Sequence, residues 1–184
     1  MEGFRDLRDW LNRVQEIGEL KTIQEEVDWN EELAAITYMA AKKKGSPALL
    51  FEKIKGYPEG FKVLTNILGS SLRRIALTLG VPLDLTSINM IRETKDIYKR
   101  SLPPEVIDKG KAPVNENIIK GEDVDLYLFP APKMWPLDGG RYIGTGDVVI
   151  TKDPEDGHFN LGTYRQMVLS KNEVGSPIFH HFSR

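Results

Sequence analysis

The residues best suited to chemistry gather toward the C-terminal end of the sequence. All three histidines, His158, His180 and His181, lie from residue 158 onward, together with Asn160 and Arg165. On neighbouring antiparallel strands, one imidazole nitrogen of the His180-His181 pair and the amide oxygen of Asn160 can meet at one divalent cation. Nitrogen and oxygen donors of this kind suit Mn²⁺ or Mg²⁺ better than a soft ion. Successive strand residues point to opposite faces, so at most one of the two histidines faces such a site. The plainer alternative is a surface or packed histidine pair at a strand end. Asn160 and Arg165 are five residues apart and fall on opposite faces of a regular strand, so a bulge or turn must intervene if both line one pocket.

The other motifs carry less. Asp138-Gly139-Gly140-Arg141-Tyr142 and Gly144-Thr145-Gly146 look like an anion loop. They lack the G-x-x-x-x-G-K-[ST] pattern and a following helix, so they are expected to make a tight turn before a strand. Asp153, Glu155 and Asp156 have no bidentate glutamate at calcium-loop spacing and are expected at a solvated hairpin tip. Lys42, Lys43 and Lys44 suit the negative end of a helix dipole better than a phosphate site. Trp10 and Trp29 are expected in a core or interface, and Trp135, between Met134 and Pro136, can line an apolar pocket.

Several elements must position these residues. Leu7, Trp10, Leu11, Val14 and Ile17 recur at helical spacing, with Gly18 as a stop. A short strand is expected over 20–23, then a helix capped by Asn30 and running to about Lys44 before Gly45-Ser46-Pro47. Short apolar runs at 48–51 and 63–66 are expected strands. Ser70 can cap a helix carrying Leu72, Ile75, Ala76 and Leu79 that ends at Gly80, and another helix is expected over 86–99. Pro103, Pro104, Gly110 and Pro113 mark a connection, which puts a domain boundary at 110/111. Beyond it, strand is expected at 118–120, a short helix or strand at 124–129, and three β segments at 142–151, 160–169 and 176–182. The pattern predicts an α+β chain: an α/β domain over 1–110 followed by a β region over 111–184.

Composition bounds the function. The 184 residues are 40% apolar and 28% charged, with 25 basic against 27 acidic side chains and a net charge of −2. That balance, with the signs interspersed, offers no clustered basic surface for nucleic acid or anionic lipid. Zero cysteines excludes a disulfide framework, a thiolate metal site and a cysteine nucleophile. The charged N-terminal stretch lacks a signal-peptide core, and no 18-residue apolar run exists. The sequence is expected to be soluble and cytoplasmic, with no integral membrane segment.

In order along the chain, several motifs resemble one family. Asp6-Leu7-Arg8-Asp9-Trp10-Leu11, Gly18-Glu19-Leu20 and Glu26-Val27-Asp28 resemble the start of the UbiD-like decarboxylases. So do Gly45-Ser46-Pro47-Ala48-Leu49-Leu50-Phe51-Glu52, Asn66-Ile67-Leu68-Gly69-Ser70 and Arg74-Ile75-Ala76 before Leu79-Gly80. Asp138-Gly139-Gly140-Arg141-Tyr142-Ile143, Asp153-Pro154 and Asn160-Leu161-Gly162-Thr163-Tyr164-Arg165 complete the match. The resemblance implies a reversible, non-oxidative decarboxylase of aromatic or α,β-unsaturated acids that uses prenylated FMN with Mn²⁺ and often K⁺. It implies an N-terminal α/β domain followed by the first part of a split β-barrel of the FMN-binding type, left incomplete here. A homo-oligomeric complete protein is also implied.

Residue by residue, the resemblance matches Asn160 to the family's metal-ligand asparagine. Arg165 matches the arginine that contacts cofactor and substrate carboxylate, and Thr145 a threonine near the flavin. His181 is the candidate metal ligand and His180 its neighbour at the cofactor. The interval from Lys171-Asn172 to the histidines is shorter than in the family, so the choice between His180 and His181 stays open. The family's remaining metal-ligand glutamate, and the two glutamates that work with the arginine, lie downstream of the histidine in sequence absent here. Three readings follow. The chain is the N-terminal portion of such an enzyme and inactive alone, or one chain of a split enzyme completed by a partner. The third is a non-catalytic interaction or flavin-binding module.

Overall fold

The computed structural model of the protein describes residues 4–99, 103 and 105–176. His180, His181 and nearly all of the strand expected over 176–182 lie outside the described residues.

The first helix, α1 (Leu7–Glu16), starts where Asp6 accepts a hydrogen bond from the Asp9 N–H. It ends at Ile17, and Gly18 takes a positive φ of 74° that releases the chain into the next strand. Strand β1 (Leu20–Val27) follows, then α2 (Glu32–Ala41), β2 (Ala48–Ile54) and β3 (Val63–Thr65). These three strands form one sheet in the order β1-β2-β3. Helices α3 (Leu72–Leu79) and α4 (Ser87–Tyr98) complete the helical part. Helix α3 is capped by Ser71, one residue later than expected, because it is the Ser71 hydroxyl that accepts from the Arg74 N–H. Gly80 closes it in the left-handed region, and Thr86 caps α4. Asn30 does not cap α2. Its N–H donates to Asp28 and it bridges Lys133, while the helix entry is closed by Glu32 accepting from the Asp28 N–H.

By its contacts the chain divides into two compact units, each discontinuous in sequence. One comprises Met1–Ile23, Thr37–Phe51 and Leu64–Lys120, the other Gln24–Ile36, Glu52–Val63 and Gly121–Arg184. In the first, Trp10 and Val14, one helical turn apart, pack against Ala48 and Leu77. The Trp10 indole N–H also reaches the Thr78 hydroxyl at 2.9 Å. A second cluster joins α3 to α4 through Ala76, Val81 and Met90. Between them Arg74 is fully buried. Its guanidinium donates to the carbonyls of Ile67, Ser46 and Leu68 at 2.9, 2.8 and 3.1 Å and to the Glu19 carboxylate at 3.0 Å.

Beyond residue 111 the β region is more broken than the sequence predicts. No strand forms at 118–120, and 124–129 holds one 3₁₀ turn, Leu126–Leu128. The expected strand at 142–151 is two, β4 (Tyr142–Gly144) and β5 (Val149–Lys152), and that at 160–169 is also two, β6 (Phe159–Gly162) and β7 (Gln166–Ser170). Strand β8 (Glu173–Gly175) forms in the gap between the β segments expected at 160–169 and 176–182, since Lys171 and Asn172 alone suffice for the turn. At the first break the Asp147 side chain lies against Gly144, where a Cβ would stand 2.4 Å from its carboxylate, so only glycine leaves room for it. The pieces pair as two antiparallel assemblies, β4-β7-β8 and the hairpin β5-β6, neither closed into a barrel. The fold is thus mixed α+β with small sheets.

Candidate functional site

Two groups of chemically able side chains stand in the second unit. The first comes from the sheet ends. Strand β4 finishes at Gly144, paired with Gln166 at the start of β7, so Thr145 and Arg165 leave the same end of the ladder on adjacent chains. The Arg165 guanidinium sits over the Tyr142 ring, 4.9 Å from its centroid, and 3.8 Å from the nearly buried Asp138 carboxylate. More than half of the Arg165 side chain stays open to solvent. Asn160 lies on β6 opposite Thr151, also exposed. Between Asn160 and Arg165 the chain leaves β6 at Gly162 and enters β7 at Gln166, so the intervening break that five-residue spacing demands is present.

The glycine motifs have packing reasons. Gly139 and Gly140 lie against Met167 of β7, where a Cβ on either would sit 3.3–3.5 Å from the thioether side chain. Gly144 is pressed by Asp147, an anion, so this turn is not an anion cradle. Residues 153–158 form the expected hairpin tip. Asp153 Oδ1 accepts from the N–H groups of Glu155 and Asp156, and Gly157 supplies a positive φ of 76°.

The second group has no counterpart among the sequence candidates. Its scaffold is a crossing of backbones: Glu31 N–H donates to the Lys133 carbonyl at 3.0 Å, and Lys133 N–H to that of Trp29 at 3.1 Å. The Lys133 ammonium also pairs with Glu31 at 2.9 Å. Arg141 is held by its carbonyl, which accepts from Val168 N–H. Its guanidinium stacks on Trp29, 3.4 Å from the ring centroid, and donates to the Tyr57 hydroxyl at 2.6 Å. These residues, with Lys55, Phe61 and Tyr127, line a cavity of about 410 Å³. Trp29 thus lines a cavity rather than a closed core, and Trp135 is half exposed and does not line it. Lys55 pairs with Asp28 at 2.8 Å. Accepting from Lys55 and from the Asn30 N–H holds the Asp28 carboxyl below its ordinary value, and the same contact raises Lys55.

The chemistry of the donors decides what each group can hold. An exposed arginine with a threonine at the same ladder end suits an oxygen-rich anion such as a flavin phosphate or a substrate carboxylate, while Asn160 stands on the separate β5-β6 hairpin. A metal is less well served, since Asn160 offers one neutral oxygen and no group of three or more His, Cys, Asp or Glu able to hold a metal occurs among the described residues.

Comparison with known proteins decides the ancestry of this arrangement. Residues 11–94 match the 3-octaprenyl-4-hydroxybenzoate carboxy-lyase N-terminal domain, and residues 105–183 match the Rift-related domain of the same enzymes. The chain belongs to the UbiD family. A protein of Aquifex aeolicus described only as uncharacterised is 37% identical over 93% of this UbiD-family chain and 37% of its own length. Among solved structures, the closed form of vanillic acid decarboxylase from Sedimentibacter hydroxybenzoicus matches 97% of the chain and 38% of its own, with 33% identity and a TM-score of 0.89. An evolved dimeric form of the UbiD-class enzyme HmfF from Pelotomaculum thermopropionicum, in complex with prFMN, matches 94% of the chain and 38% of its own, with 31% identity and a TM-score of 0.79. Apo 3,4-dihydroxybenzoic acid decarboxylase from Klebsiella pneumoniae matches at 27% identity and a TM-score of 0.82, over 98% of this chain and 38% of that one. The UbiD-family chain therefore spans somewhat over a third of the length of these relatives. Among its described residues no helix is long and apolar enough to cross a membrane.

Proposed function

We propose that this chain contributes the N-terminal domain and the first part of the cofactor-binding domain of a non-oxidative decarboxylase acting on aromatic or α,β-unsaturated acids with prenylated FMN. The observation that carries this is the likeness, at a TM-score of 0.79 over 94% of the chain, to a UbiD-class enzyme in complex with prFMN. Losing CO₂ from an sp² carbon leaves a carbanion with no place for its charge, and the bound flavin supplies that electron sink.

The work of the chain's own residues is binding and orientation. Arg165 presents a planar, permanently charged fork that takes a carboxylate through two parallel hydrogen bonds. Asp138 and the Tyr142 ring limit its swing without covering it. Thr145, at the same ladder end, adds a hydroxyl for the cofactor. Asn160 offers an amide oxygen toward the cofactor phosphate region. With one of His180 and His181, His181 in the first instance and both outside the described residues, it would hold Mn²⁺, and His180 would contact the flavin. The described residues do not complete a metal site, and no step is assigned to one.

The test uses the protein purified with any co-purifying chain, reconstituted with prenylated FMN and assayed for CO₂ release from a panel of aryl and α,β-unsaturated acids. Arg165→Ala is expected to keep flavin bound, read by absorbance, and to lose at least about 100-fold in turnover, the scale of removing one transition-state contact. Asn160→Ala is expected to lose flavin. Near-normal turnover in Arg165→Ala overturns the assignment.

A further inference from the structure

The Arg141 cavity has no part in the reading above, yet its chemistry is specific enough to name a ligand class. The guanidinium is fixed on one face by Trp29 at 3.4 Å, lies 5.4 Å from the Tyr127 centroid, and spends one N–H on the Tyr57 hydroxyl. A guanidinium has five N–H donors. The described residues engage one of Arg141's and supply no carboxylate within ion-pair distance of it.

Charge then sorts the ligands. The second cation of the lining, Lys55, pairs with Asp28 at 2.8 Å, and the same carboxylate acts electrostatically on Arg141, so the lining offers a single net positive charge at most. That favours a monoanion over a phosphate dianion, whose second charge would be desolvated without a partner. The remaining wall is flat and apolar: the rings of Trp29, Tyr57, Phe61 and Tyr127 with Pro58 and Leu128. Its volume of about 410 Å³ falls in the range of small-ligand sites.

We propose that this cavity binds a small aryl carboxylate, the carboxylate on the unengaged donors of Arg141 and the ring against the aromatic wall. The inference shares no residue with the Arg165 proposal and does not depend on it.

The test is a titration of the ¹⁵N-labelled protein with benzoate, following the indole N–H signals of Trp10, Trp29 and Trp135, with Trp29→Phe identifying the relevant one. Inorganic phosphate and benzamide serve as the dianionic and neutral controls. A saturable shift of the Trp29 indole is expected with benzoate and with neither control, while the buried Trp10 indole stays still. Arg141→Lys keeps the charge but loses the fork and the stack, and is expected to weaken binding roughly tenfold or more. Arg165→Ala is expected to leave the shift intact, which separates this proposal from the previous one. The inference is overturned by the absence of a saturable Trp29 shift, by an equal response to phosphate, by full affinity in Arg141→Lys, or by loss of the shift in Arg165→Ala. Where Arg141→Lys fails to fold, saturation confined to Trp29 in the native protein decides in favour, and its absence against.

Discussion

Arg73 and Arg74 are neighbours on α3 with opposite surroundings, and replacing each should give opposite results. Arg74 is wholly buried and donates to four backbone carbonyls and to Glu19. Burial pulls its pKa below the usual arginine value, and Glu19 opposes that shift. Arg74→Met leaves the Glu19 carboxylate, also bonded by the Ser71 hydroxyl, with its main countercharge gone and removes the guanidinium donors from the Ile67, Ser46, Asn66 and Leu68 carbonyls, of which Leu68 keeps the Ser71 N–H. Breaking a buried pair from one side costs about 3–5 kcal/mol. Arg73, half exposed, reaches Glu19 at 3.6 Å and the Ile17 carbonyl at 3.3 Å. Its replacement by Met should cost no more than about 1 kcal/mol. Urea unfolding followed by far-UV circular dichroism measures both. With a slope of about 2 kcal/mol/M, Arg74→Met should lower the midpoint by roughly 2 M and Arg73→Met by less than about 0.5 M. Arg74→Lys, which keeps the charge but not the fork, should lie between. Equal costs at 73 and 74, or a wild-type midpoint in Arg74→Lys, would refute the account of Arg74 as the organiser of the 66–71 loop.

Two further outcomes follow from single contacts. Gly69 has φ 51°, and a Cβ there would stand 2.6 Å from Asn66 Oδ1 and 2.9 Å from Arg74 Nη2, so Gly69→Ala should destabilise by more than about 1 kcal/mol in the same urea assay, against a negligible change for the exposed Gly146→Ala. Asp28 is depressed by Lys55, so its contribution is present above the ordinary carboxylate value of 3.8 and is lost as pH falls through the lower folded value. The stability difference between wild type and Asp28→Asn should therefore be present at neutral pH and shrink as the pH falls below the ordinary carboxylate value of 3.8. A difference that widens in acid would contradict that sign.

Local physics was legible in the residues. Trp10 and Val14 announce the buried stripe of α1, Gly18 the end of α1 and Gly80 that of α3, and Asp153 to Gly157 a hairpin tip, because each depends on neighbours within a few positions. Strand periodicity also made readable that Asn160 and Arg165 can share a pocket only across a break, and the chain does leave β6 at Gly162 and enter β7 at Gln166. The division of each long β segment into two was not. It depends on Asp147 packing against Gly144 and on which strand each half finds, and the apolar pattern is the same for one strand or two.

The tertiary structure alone decided the rest. The Arg141 cavity joins Trp29, Tyr57 and Tyr127 to a residue 84 positions beyond Tyr57, and no periodicity or motif links them. Arg74 reads in sequence as one more surface charge on an amphipathic helix, and becomes a buried hub only because Glu19 and the 66–68 carbonyls converge on it. Residue types and short spacings determined which side chains can do chemistry and where helices start and stop. Which of those side chains meet depends on long-range chain crossings, such as that of Glu31 with Lys133, whose cost in loop entropy is offset only once the whole unit is packed.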